Sequence, residues 1–222
     1  LQHRGISKYS TIRYNNIYKT DVAACNTKYK DFVFLSFENG AEAEGVTYDA
    51  GKLSGFAQAG PRFDYPQSGT GMLQMVAGDK IRVNEVSGNR KYVVSCWVTK
   101  VGPEPPQAMT VTSSTGTVTL QLSQNHQLRQ WYYFQGEIEL GAADWLEIAY
   151  DGTANTWVDN LVVAPAGATY TIKSFNAKGM VDMEGTLNGK QVRYEYDVFN
   201  RLKVTRDESD NIKETFNYHI SR

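Results

Sequence analysis

Two carboxylates placed two residues apart, Glu137 and Glu139, come nearest to a catalytic pair in this chain. On a strand they share a face, and a glycosidase needs two carboxyl groups roughly 5 to 10 Å apart across a cleft. The run Glu137-Ile-Glu139-Leu140 reads more simply as a strand with one wet face, so glycoside hydrolysis stands as a remote alternative and the chain is read as no enzyme. His3, His126 and His219 lie far apart, with no acid or nucleophile at a motif spacing. A nucleophile elbow, a Walker loop, a dinucleotide fingerprint and a transition-metal ligand cluster are all missing from the sequence. What remains is aromatic: 14 Tyr, 9 Phe and 4 Trp, in a chain rich in Gly, Thr and Val. Planar rings on a sheet stack against the apolar faces of pyranose rings, while polar neighbours hydrogen-bond the hydroxyls. Trp97 is the first such candidate. Tyr132 and either Trp131 or Tyr133 come next, with Arg129, Gln135 and Asn125 as polar contacts. The competing reading is that these rings cover hydrophobic surface, meeting the N-terminal segment or the C-terminal repeats.

Strands must position these side chains, because a period of two dominates the sequence. Tyr92, Val94, Cys96 and Val98 alternate with Val93, Ser95, Trp97 and Thr99, so an apolar first set puts Trp97 on the opposite, outer face. Residues 110–121 read as a hairpin, and Trp131–Leu140, Trp145–Tyr150 and Trp157–Val163 as further strands. Gly141-Ala-Ala-Asp144 and Asp151-Gly-Thr-Ala-Asn155 punctuate them as turns. Gly102-Pro-Glu-Pro-Pro106 cannot lie in an interior strand. No segment shows a convincing amphipathic helix; Thr20–Tyr29 is the single helix-like stretch and is equally readable as extended.

The 222 residues carry 23 Lys plus Arg against 24 Asp plus Glu, a formal charge of −1. A balance of that kind supplies no basic stripe for nucleic acid. No run approaches the roughly 18 apolar residues of a membrane span. With 41% hydrophobic residues and a mean hydropathy of −0.46, wholesale disorder is excluded. Cys25 and Cys96 make no disulfide framework; two separate thiols are expected, with a single bridge left open. The chain begins at Leu1 and shows no signal-peptide core, and is read as a segment of a longer protein.

The last fifty residues repeat. Tyr170-Thr-Ile-Lys-Ser-Phe-Asn-Ala-Lys-Gly179 is followed by Tyr194-Glu-Tyr-Asp-Val-Phe-Asn-Arg-Leu202, and Phe216-Asn-Tyr218 begins a third copy. The starts are spaced by 24 (194 − 170) and 22 (216 − 194) residues. Each unit reads as strand, turn, strand, turn, with Asn188-Gly189 a good turn pair. A lone hairpin cannot bury its apolar face and must stack on a neighbour. The expected organisation is an extended lead-in over 1–30, a sandwich over 31–166 and repeat hairpins over 167–222.

Tyr194-Glu-Tyr-Asp197 with Phe199-Asn-Arg-Leu202 is similar to the YD repeat of Rhs and teneurin-type families, with Asn200 where Gly is usual. Phe34-Leu-Ser-Phe-Glu38, Gly51-Lys-Leu-Ser54, Tyr92–Val98, Trp131-Tyr-Tyr-Phe134 and Trp157-Val-Asp-Asn-Leu161 together resemble the jelly-roll sandwiches of carbohydrate-binding modules and adhesion domains. The order of the two resembles the C-terminal part of Rhs-like surface proteins of Bacteroidetes-type bacteria. That resemblance implies an all-β jelly-roll β-sandwich with a small YD-repeat hairpin appendage, in a secreted or cell-surface protein. It implies a polysaccharide or glycoprotein as partner, beside other domains of a parent protein. A structural Ca²⁺ is implied too, on Glu38 and Asp159 with carbonyls near Lys52 or Ser54, the ion needing six to eight oxygen ligands. The alternative is a structural, adhesion or partner-docking segment with no small ligand.

Overall fold

The computed structural model describes residues 10–14, 20–37, 46–49, 67–69, 71–100, 109–128, 131–153 and 156–219. Its strands are β1 (Ser10–Tyr14), β2 (Thr20–Cys25), β3 (Val33–Leu35), β4 (Val46–Asp49), β5 (Leu73–Met75), β6 (Lys80–Val83), β7 (Arg90–Lys100), β8 (Met109–Ser113) and β9 (Gly116–Thr119). They continue as β10 (Gln121–Leu128), β11 (Trp131–Leu140), β12 (Leu146–Tyr150), β13 (Thr156–Pro165), β14 (Thr169–Phe175), β15 (Val181–Thr186), β16 (Gln191–Tyr196), β17 (Leu202–Arg206) and β18 (Ile212–Thr215). Thr20–Tyr29 is therefore a strand leading into a single 3-10 turn over Tyr29–Asp31, and the loop 102–106 lies outside the described residues.

Two antiparallel sheets face each other as an all-β jelly-roll sandwich. One runs β10-β11-β7-β13-β3, with β5 also paired to β13; the other runs β4-β6-β12-β8-β9. Period-two alternation delivers their inner faces to one core. Tyr92, Val94, Cys96 and Val98 of β7 meet Ile81 and Val83 of β6 and Leu146, Ile148 and Tyr150 of β12. Cys96 is a free thiol there, its pKa pushed up to about 12 by burial. The 3-10 turn is tied in by Asp31. Its buried carboxylate accepts from Arg90 Nη1 at 2.9 Å, the Ser87 amide at 2.8 Å and the Tyr92 hydroxyl at 3.3 Å. A buried charge keeps its place only with such partners.

A third sheet, β1-β2-β14-β15-β16-β17-β18, joins the N-terminal hairpin to the C-terminal repeats. The reason for a third layer is written in β13, where every one of the ten residues from Thr156 to Pro165 is buried. A strand at a wet surface shows alternating burial; one buried on both faces needs a cover on each. Val158, Leu161 and Val163 fill the sandwich core, whereas Val162 and Ala164 pack outward against Val22, Ala24, Tyr170, Ile172 and Met183 of the third sheet. Phe32 and Phe34 complete that second core, with Phe32 edge-on to Tyr170 at 5.1 Å between ring centroids.

The C-terminal turns recur at unequal spacings, 21 residues (197 − 176) and then 10 (207 − 197). Three turns share one geometry: Asn176 to Met180, Asp197 to Arg201 and Asp207 to Asn211. In each, the first side chain's Oδ1 accepts two backbone amides, two and four residues on. The fourth residue is left-handed, at φ +74° for Gly179, +63° for Asn200 and +66° for Asp210. Gly, Asn and Asp are the residues that tolerate this region. Asn176 thus corresponds to Asp197 (197 − 176 = 21), and Phe175-Asn176 is the counterpart of Tyr196-Asp197. The spacings of 24 and 22 counted from Tyr170 and Tyr194 are corrected accordingly, because the turn rather than the leading tyrosine sets the register.

The backbone amide of Arg201, then its guanidinium, holds the Asp197 carboxyl below its ordinary pKa. A group depressed on folding stabilises above its unfolded pKa and loses that contribution as pH falls through the folded value. Acidification below about pH 4 is therefore expected to loosen the 197–201 turn first. Amide exchange at Phe199 and Arg201 should accelerate there while the amides of β7 and β13 stay protected.

Candidate functional site

Where the repeat sheet crosses the sandwich's outer face, it leaves a small cleft. Ser95, Trp97 and Tyr133 come from the sandwich; Tyr170 and Gln191 come from the repeat sheet; Asn160 stands between them. A β-bulge places Asn160: in the pairing of β13 with β7, Asp159 opposes Trp97 and Val162 opposes Ser95, so one extra residue is accommodated. Asn160 takes the left-handed backbone at φ +48° and turns into the layer between the sheets.

A chain of buried polar groups runs through this layer. Asn160 Nδ2 donates to Gln67 Oε1 at 2.6 Å and to Ser68 Oγ at 2.7 Å, and Gln67 Nε2 donates to Gln191 Oε1 at 2.8 Å. The Ser68 and Asn160 amides donate to the two oxygens of Asp159, and the Gly69 amide donates to Asp182 Oδ2 at 2.7 Å. Gln67-Ser68-Gly69 is thereby clamped between β13 on one side and β15 and β16 on the other. Two atoms are left over: Asn160 Oδ1 and Gln191 Nε2 have no hydrogen-bond partner, although the residues are only 3% and 5% exposed. An orphaned buried polar group costs about 1–3 kcal/mol, so each calls for an explanation.

Beside them, Ser95 shares the lining with the phenols of Tyr133 and Tyr170. Burial raises both phenols, Tyr170 to about 12 and Tyr133 beyond any physiological range. Gly189 closes the wall at φ +70°, where a β-carbon would stand 2.9 Å from the Tyr133 ring. Among the described residues of the lining, Lys190 alone is charged. The cleft encloses about 20 Å³, room for one water-sized or hydroxyl-sized group.

The sequence places Trp97 on the outer face correctly, but the face is not an open platform. Trp97 is 3% exposed and packs with Met72, Trp131, Tyr133 and Trp157, its ring 5.3 Å from that of Tyr133. Trp131 is equally enclosed, so neither ring offers a bare face for stacking. Tyr132 turns the other way and packs against the sandwich core. Gln135 stays half-buried opposite Ser95, outside the cleft, and Arg129 lies outside the described residues. Of the calcium set, Asp159 alone is described; Glu38, Lys52 and Ser54 lie outside those residues. Among the described residues no three His, Cys, Asp or Glu side chains converge on a point. Glu137 and Glu139 are both exposed, with Glu137 paired to Lys91 at 3.2 Å. Asn160, Gln67 and Gln191 were not singled out by sequence; an amide and an acid interrupting the apolar run 157–164 were their one local signal.

No family model and no curated protein matches the chain. Among solved structures it is similar to the K1 cleaved adhesin domain of Lys-gingipain from Porphyromonas gingivalis W83, at 14% identity over 61% of this chain and 99% of that one, with a TM-score of 0.41. It is similar also to the CBM22-1 xylan-binding domain of Paenibacillus barcinonensis Xyn10C, at 20% identity over 60% and 92%, TM-score 0.38. The C-terminal family 22 carbohydrate-binding module of Clostridium thermocellum Xyn10B gives 15% over 63% and 96%, TM-score 0.37. At these identities and scores the likeness assigns neither a family nor a ligand.

Because Trp97 is core to the layer, Trp97→Ala is expected to destabilise by about 3–5 kcal/mol, as large-to-small changes at buried aromatics do. Chemical denaturation followed by circular dichroism measures it; a loss under 1 kcal/mol would show an exposed ring instead.

Proposed function

We propose that this chain is a non-catalytic, secreted or cell-surface module that recognises carbohydrate. The observation that carries the reading is the cleft, whose lining sets the rings of Trp97, Tyr133 and Tyr170 beside the polar side chains of Ser95, Thr186, Asn160 and Gln191. Sugars are recognised by that mixture: apolar ring edges against aromatics, with hydroxyls satisfying amide donors and acceptors. Among the described residues no carboxylate lines the cleft.

A second reading rests on a different observation. The repeat sheet covers the sandwich's aromatic face through a full apolar core and a buried polar clamp. In an Rhs-like parent protein with YD-type repeats, the sandwich would then act as the footing on which the repeat sheet is built, with the structural or adhesive role dominant.

A glycan array of the purified chain, run with calcium and again with EDTA, separates the two readings. The carbohydrate reading expects a defined sugar class to bind; the calcium implied for Glu38 and Asp159 expects weaker binding and a lower Tm in EDTA. A blank array with an unchanged melt favours the structural footing. Since the phenols lining the cleft stay protonated, binding should be flat from about pH 5 to 9. A titration midpoint inside that window would place the site elsewhere.

A further inference from the structure

Four hairpins of the third sheet close in the same way. Tyr14 pairs with Thr20, Phe175 with Val181, Tyr196 with Leu202 and Arg206 with Ile212, five residues lying between each two. In every one the register slips by a residue beside the closing pair. The residue skipped is always the second of the returning strand: Asp21, Asp182, Lys203 and Lys213. A bulge at one fixed place is a designed feature of a strand pair. The residue after it is buried in three of the four, as Val22, Met183 and Val204. The first of the five loop residues is Asn15, Asn176, Asp197 or Asp207, side chains suited to accepting turn amides. The N-terminal hairpin departs from the pattern in sequence at Tyr18, where the others carry Gly179, Asn200 and Asp210.

From this we infer that β1-β2 is a unit of the C-terminal repeat array, and that the sandwich is a guest module inserted into one connection of that array. The sheet order β1-β2-β14-β15-β16-β17-β18 is also the chain order. Cys25 of β2 stands opposite Thr169 of β14, and the 143 residues 26–168 (168 − 26 + 1) lie between them. One unit further on, the same connection, from β15 to β16, takes four residues, 187–190. With four residues in place of 143, the spacing from Asn15 to Asn176 becomes 22 (176 − 15 − 143 + 4), against 21 from Asn176 to Asp197. The array keeps its step across the insertion. Domains with neighbouring ends are tolerated as insertions for this reason: the host needs only to join two adjacent strands.

The inference rests on register alone and holds whether or not a sugar is bound. It divides the molecule into a host array, which is the structural part, and a carried sandwich. The cleft is then the seam between them, since Gly189 and Lys190 of the 187–190 connection line it together with Trp97 and Tyr133.

Two measurements on the whole chain test it. Thr169 is exposed, so Thr169→Cys adds a thiol opposite Cys25 without disturbing the core. Antiparallel partners lie about 4.5–5.5 Å apart at Cα, within the reach of a disulfide. Mild oxidation should join Cys25 to the new thiol, with Cys96 still free in a non-reduced peptide map. The second measurement is amide exchange. Asn176 Oδ1 accepts the amides of Lys178 and Met180, so Asn176→Ala should speed their exchange about fivefold or more. Asn15→Ala should do the same to Ile17 and Lys19, and Asn15→Asp should not. A chain that oxidises without the 25–169 bond would separate the two ends of the sandwich and overturn the insertion. Ile17 and Lys19 amides indifferent to Asn15→Ala, while Lys178 and Met180 respond to Asn176→Ala, would take β1-β2 out of the array and overturn it as well.

Discussion

Burial of β13 on both faces is the constraint from which the rest of the structure follows. Its inner residues belong to the sandwich; Val162 and Ala164 point away from it and would sit in water without a cover. Burying a side chain the size of Val162 is worth about 1.5–3 kcal/mol, and the methyl of Ala164 about 0.8, so a bare outer face would forfeit part of a marginal stability. The third sheet meets that need twice over, with β2 from one end of the chain and β14 and β15 from the other. The N-terminal hairpin β1-β2 and the C-terminal strands β14–β18 are thereby joined in one sheet.

The same docking makes the candidate site. Where apolar residues meet, the layer is dry and satisfied; where β15 and β16 pass over the bulge, polar groups from three distant stretches of sequence meet around Gln67. Among the described residues three buried side-chain atoms lack a partner, Trp157 Nε1, Asn160 Oδ1 and Gln191 Nε2, and the last two belong to this cluster. Farther along, the sheet leaves the sandwich behind: β18 is exposed throughout, and Val198 and Phe199 stand out at the tip of the β16–β17 turn. Stability in this end comes from the Asx-type turns and ion pairs such as Arg206 with Glu195, contributions that are individually small and screened by salt.

Much of the fold was legible because strand alternation is a local signal. Tyr92–Val98 announced its own inner and outer faces, and Trp131 and Tyr133 had to oppose Tyr132. Alternation says which way a side chain points; it does not say what lies there. Trp97 was therefore placed on the right face and expected in the wrong environment. The cover itself had one trace in the sequence: Val162, Val163 and Ala164 are apolar in succession, the mark of a strand dry on both sides. The repeat was visible but misregistered, since Tyr170 opens a strand, whereas Asn176, Asp197 and Asp207 fix the turns. Gln67, Asn160 and Gln191 were out of reach, being 93 and 31 residues apart (160 − 67, 191 − 160) and joined only by the third layer.

Acrylamide quenching of tryptophan fluorescence tests the covered face most directly. Trp97 lines the cleft beside the third sheet and packs with Trp131 and Trp157 in one buried aromatic cluster, and Trp145 is half-buried beneath the Arg82 guanidinium at 4.2 Å. The account predicts blue-shifted emission, with Trp145 the one indole of the four that quenches readily. Red-shifted emission, with most of the intensity quenched in the native protein, would mean that the aromatic cluster on the sandwich's outer face is open to solvent, and would contradict it.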